Sequence, residues 1–141
     1  MNYTRIGLAA LGGFVAYFAT GGLMFVLAPW MKKEFMKYQS VFRPEDQMKK
    51  VIPVGMGAML VAMVVLAVLY AMLYRGGSGF VEGAQFGALI GLFVVCAFVL
   101  HNYLMLNIGG MLAFQQSIAY FLEWVVTGIV IGLIYRPPTA N

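Results

Sequence analysis

Four stretches of nearly unbroken apolar residues, over 6–28, 51–74, 83–106 and 113–135, alternate with short polar ones along this chain. A hydrocarbon core about 30 Å thick takes about 20 helical residues to cross, and each stretch is that long. Backbone groups in lipid must be satisfied within the segment, so each stretch is expected to be a helix. The pattern predicts an all-α chain, an integral membrane four-helix bundle forming a single transmembrane domain over 1–141. Pro29 closes the first span, and Arg136-Pro137-Pro138 ends the fourth. Pro53 falls in the expected first turn of the second, where its missing N–H is tolerated.

The connections differ in character. Residues 30–50 are the only sizeable polar segment, and in them Trp30, Met31, Phe35 and Tyr38 recur at helical spacing among Lys32, Lys33 and Lys37. That spacing predicts a short amphipathic interfacial helix between the first two spans. Arg43-Pro44-Glu45-Asp46 reads as a turn into the second span, Arg75 to Gly79 as a short flexible link, and Leu106 to Gly110 as a tight turn.

Composition strengthens the membrane reading. The 141 residues are 62% hydrophobic and 10% charged, against about a quarter charged in soluble domains. The net charge of +4 does not imply a nucleic-acid partner, because the basic residues flank apolar spans instead of forming one patch. A single cysteine, Cys96, excludes an intrachain disulfide and reads as a small buried apolar residue. The first span is too long for a cleavable signal, and no soluble domain follows it.

Charge also sets the expected orientation. Lys32, Lys33, Lys37, Arg43, Lys49 and Lys50 lie in the first connection, against Arg5, Arg75 and Arg136 on the other side. The positive-inside rule then puts residues 30–50 in the cytoplasm and both termini outside.

Small residues suggest how the spans meet. Gly83, Gly87 and Gly91 recur every four residues in the third span, as do Gly12, Ala16 and Thr20 in the first. Such rows let backbones approach closely, so the first and third spans are expected to pack through them, within one chain or across a dimer.

Nearly all the polar chemistry within the spans lies between Glu82 and Arg136. On a helical wheel His101 shares a face with Gly83, and Asn102 with Ala84 and Gly91. In the fourth span Gln116, Tyr120, Glu123 and Thr127 make one stripe. Counting from the tight turn puts His101 about 7–8 Å shallower than Glu123. The expectation is a ladder, Gln116–His101–Tyr120–Glu123, with Glu123 reaching the level of Tyr17 and Thr20 in the first span.

A carboxylate at mid-bilayer costs about 2.5–3.5 kcal/mol on insertion scales and is read first as functional. Two readings of Glu123 stand side by side: a proton- or cation-coupling carboxylate, and a neutral acid tying two helices together. His101, the only histidine, reads as a structural hydrogen-bonding group, a proton relay or a cofactor ligand. It has no second ligand at helical spacing, so no metal site or cofactor is expected. The catalytic motifs of hydrolases, metalloproteases and P-loop proteins are absent, and no enzyme is expected.

Leu27-Ala28-Pro29-Trp30-Met31 after the first span, the glycine-rich third span ending in Asn102-Tyr103-Leu104, and the close of the fourth at Gly128–Tyr135 cover most of the chain. In these it resembles small bacterial four-span membrane proteins grouped as domains of unknown function. The resemblance implies a four-span fold and a place in the bacterial inner membrane, and no activity. The leading expectation is an accessory or structural subunit packing against other membrane proteins or itself. The alternative is a small proton-coupled transporter or permeation protein with Glu123 as its coupling carboxylate.

Overall fold

In a computed structural model, which describes residues 1–136, the chain is all-helical. The helices are α1 (Tyr3–Leu27), α2 (Pro29–Phe35), α3 (Glu45–Leu73), α4 (Gly79–Met105) and α5 (Gly110–Tyr135). α1, α3, α4 and α5 are each long and apolar enough to cross a membrane. Each runs beyond the stretch expected from hydropathy at one or both ends. The largest difference is at α3, which begins at Glu45 and not Val51. Its first turns are charged but keep their helical hydrogen bonds, with Glu45 and Asp46 placed favourably at the positive end of the helix dipole. Pro53 is therefore a helix-interior proline, which leaves the Lys49 carbonyl without its i+4 donor. Pro137 and Pro138, expected to stop the last helix, lie outside the described residues.

The interfacial helix is present but short. Pro29 occupies its first turn, a 3₁₀ turn over Met36–Tyr38 extends it, and Phe35 stacks on Phe42 at 4.4 Å between ring centroids. The Tyr38 hydroxyl rests against Gly109, where a Cβ would collide with it. That contact ties the basic connection to the α4–α5 turn on the same side of the bundle.

α5 is the central helix, packed mainly between α4 and α1, and α3 reaches the bundle chiefly through α1. The α4–α5 seam is built from glycine. A Cβ on Gly79 would lie 2.5 Å from the Gly132 carbonyl oxygen, and one on Gly83 2.5 Å from that of Gly128. Gly87 faces Trp124 and Val125, and Gly91 faces Phe121, in the same antiparallel register. Backbones this close gain dispersion and Cα–H···O contacts, which drive helix association where lipid removes the hydrophobic incentive.

The expected pairing of the first and third spans is therefore corrected. The Gly83–Gly87–Gly91 row meets α5, whose own Gly128 and Gly132 complete the seam. The α1 row serves α5 side chains instead: Gly12 faces Ile134 and Val130, while the adjacent Gly13 faces Ile131 of α5 and Met63 of α3. Ala16 and Thr20 are half-buried. A glycine row shows that some backbone comes near, without saying which one.

Burial is concentrated at one end. The buried residues of α1 are Ile6, Ala9, Ala10 and Gly13, all in its first half, and those of α3 are Met63, Ala67 and Tyr70, all in its second. These halves lie together at the end of the bundle away from residues 30–50. Tyr70, Tyr74, Tyr135 and Phe86 make an aromatic cluster there, with centroid separations of 5.4–6.0 Å. The adjoining α3–α4 turn is fastened by the Glu82 carboxylate, which accepts the N–H groups of Arg75 at 3.1 Å and Gly77 at 2.8 Å. Gly76 in that turn has φ +88°, a left-handed conformation suited to glycine. At the opposite end α3 stands apart, with residues 45–58 exposed on every side, while Val99, Ile108, Leu112 and Ala113 stay buried where α4 meets α5.

Thr127, with 1% of its surface exposed, sits in the tight half with no partner for its hydroxyl among the described residues. An unsatisfied buried hydroxyl is destabilising, so the isosteric Thr127→Val change should stabilise the bundle by about 1 kcal/mol. Thermal unfolding in detergent, compared with wild type, checks this. A lower melting temperature would show that the hydroxyl is bonded.

Candidate functional site

Where α1 and α5 part, they leave a cleft of about 500 Å³. The C-terminal half of α1 forms one wall, the N-terminal half of α5 the other, and Met31 and Phe35 of α2 close its basic end. Met31 and Phe35 are i and i+4, the apolar face expected of the interfacial helix. Most of the lining is apolar or aromatic, including Phe18 and Phe25, whose rings are also exposed on the outside of the bundle. The polar groups converge from both walls: Tyr17 from α1, and Gln115, Gln116, Tyr120 and Glu123 from α5.

Glu123 stands at the deep end, 8% exposed, where the cleft meets the packed half. It can lie between two helices because Gly21 has no side chain. A Cβ there would lie 2.8 Å from Glu123 Oε1. Tyr17, one turn before Gly21, brings its phenol to the carboxyl, and Tyr120 brings a second from the turn before Glu123. The Tyr17 hydroxyl lies within hydrogen-bonding reach of the carboxyl. The Tyr17 ring packs on Trp124 at 5.0 Å between centroids. Gln115 Oε1 and Trp124 Nε1 are buried without partners among the described residues.

The arrangement brings Tyr17, Gln116, Tyr120 and Glu123 to one site and leaves others out. Thr20 is half-buried and does not line the cleft; Gly21, the next residue, does. His101 is exposed, outside the cleft, and Asn102 is half-buried away from it. The ladder through His101 is therefore corrected. Its cause is a π-helical turn over Val95–Val99. One extra residue in the turn sets everything after it back by about 100°. Val99 then takes the inward face expected of residue 98, and is 2% exposed. His101 turns outward, as does Cys96, which is exposed and not buried as its apolar setting suggested. Asn107, in the α4–α5 turn, is exposed too.

Gly21, Phe18 and Phe25 were not singled out by the sequence as site residues, and Gln115 stood out only as one of the polar residues of the last two spans. Gly21 carried a usable signal, since it follows Tyr17 by four residues and so lies on the same face of α1. Among the described residues no three of His, Cys, Asp and Glu come together as a metal site would require. What the cleft offers is one ionisable carboxyl, two phenols, amide groups and aromatic faces in a space sized for a small molecule. An exposed His101 outside this space should be dispensable. His101→Leu is expected to change unfolding stability in detergent by no more than about 0.5 kcal/mol, as befits a surface position. A much larger loss would mean that His101 makes interior contacts. No family model, curated protein or solved structure matches the chain.

Proposed function

We propose that this protein is a small proton-coupled carrier or permeation protein, with Glu123 as the carboxyl that takes up and releases the proton. The observation that carries the reading is the cleft itself, which runs from the basic end of the bundle to Glu123. A carboxyl used only to bind two helices together belongs in a filled interface. Here it lines open space between α1 and α5, beside two phenols able to donate to it in its charged form. The basic residues beside the mouth favour a cytoplasmic opening, with both termini on the outer face of a bacterial inner membrane. Proton uptake into liposomes carrying the purified protein, under an imposed pH gradient, tests this. Glu123→Gln should abolish it.

A second reading, an accessory subunit that packs against another membrane protein or a second copy, is favoured by one observation. Residues 45–58 of α3 are exposed on every side, and Gly55 and Gly57 there have nothing near them. Recovery of a stoichiometric partner from gently solubilised membranes, together with flux indifferent to Glu123→Gln, would favour it over the carrier.

A further inference from the structure

The cleft has one formal charge available to it, and its other groups agree with that charge in sign. Glu123 at the deep end supplies a carboxyl, and the Tyr17 and Tyr120 rings stand beside it. The walls add the faces of Tyr17, Phe18, Phe25, Phe35 and Tyr120, each a ring with negative potential on its face. One of these rings already receives a cation: the Lys32 ammonium lies 5.7 Å from the Phe25 centroid. A carboxyl facing aromatic walls in a half-apolar cleft attracts a positive group twice, by charge and by cation–π contact.

The other charge classes fit less well. An anion would meet the Glu123 carboxyl, which has no salt-bridge partner among the described residues. A metal ion would find one carboxyl where a site needs three or four ligands. The volume of about 500 Å³ lies in the range of pockets for organic molecules. Phe18 and Phe25, which line the cleft and also face outward, open it toward the hydrocarbon. That opening admits a ligand already dissolved in the membrane.

We infer that the cleft binds a lipophilic organic monocation, its positive group held at Glu123 and its apolar body between the aromatic residues of α1 and α5. This rests on the carrier reading above and gives that site a substrate class. Bound cation and bound proton would then compete for the same carboxyl, so that each leaves as the other arrives.

The test compares two probes of one shape. One is a diphenylpropyl-trimethylammonium ion, and the other is its neutral isostere with carbon in place of nitrogen. Binding to protein in lipid nanodiscs is read from the fluorescence of Trp124, which packs on Tyr17. Trp30→Phe removes the only other tryptophan. The ammonium should bind at least about tenfold more tightly than the isostere, and Glu123→Gln should erase that ratio. Its binding should also release a proton in weakly buffered solution, and that release should vanish in Glu123→Gln. Phe18→Leu, which keeps the wall apolar, should weaken the ammonium by about threefold and leave the isostere unchanged.

Equal binding of the two probes overturns the inference, as does an ammonium preference that survives Glu123→Gln. If the probes bind equally while proton flux still depends on Glu123, the substrate class fails and the carrier reading stands. If flux ignores Glu123→Gln, the carrier reading fails by itself.

Discussion

Gly87→Leu should prevent the bundle from assembling, while Gly55→Leu should leave it intact. Both are glycine-to-leucine changes inside helices expected to span the membrane, so they differ only in surroundings. A Cβ at Gly87 would lie 2.9 Å from the Val125 Cα and closer still to the Trp124 carbonyl, and both obstacles are backbone. A flexible side chain can move aside at small cost, but here α5 itself would have to withdraw. Withdrawal opens the register from Gly79 to Gly91 and removes the contacts that hold α4. Overpacking against side chains costs about 1–3 kcal/mol, and against a helix backbone the loss should exceed that range. At Gly55 nothing lies within 4 Å of the added atom, and leucine is the better helix former by nearly 1 kcal/mol. Size-exclusion profiles and thermal melts of the two variants in one detergent decide the matter. A Gly87→Leu protein that melts like wild type would mean that the glycine seam is not what joins α4 to α5.

Glu123→Gln should reduce proton flux to the level of protein-free liposomes without lowering the melting temperature. The two side chains have the same shape, so the fit against Gly21 is kept. The amide cannot exchange a proton, which is the property removed. Stability should hold or rise, because a carboxylate at mid-bilayer costs about 2.5–3.5 kcal/mol and a neutral amide costs less. Loss of flux with an unchanged melt assigns the effect to chemistry. Loss of both would mean that the carboxyl braces α1 against α5, and intact flux would end its coupling role.

The helices were legible because lipid imposes one rule on every residue it touches. Their ends were not, because that rule lapses at the interface. Glu45–Lys50 fails a hydropathy criterion but still satisfies the hydrogen bonding of α3. The glycine rows announced close contact, and the choice of partner was decided by Gly128 and Gly132, which match Gly83 and Gly79 in antiparallel register. At the site, the stripe Gln116–Tyr120–Glu123 followed from spacing alone, and depth counting brought Glu123 to Tyr17. His101 was misplaced because wheel positions assume an uninterrupted α-helix. Nothing in Val95-Cys96-Ala97-Phe98-Val99 marks it locally as a π turn.

α1 is packed over its first half and largely exposed over its second, and that asymmetry gives it leverage. From Gly13, the last of its buried residues, to Leu27 the helix runs about 21 Å at 1.5 Å per residue. A tilt of about 10° about Gly13 would swing the far end by about 4 Å. Gly12 and Gly13, which seat α1 against Ile134 and Ile131 of α5, thus also act as a fulcrum. A small shift in their packing would be multiplied along the arm into a change in the width of the cleft.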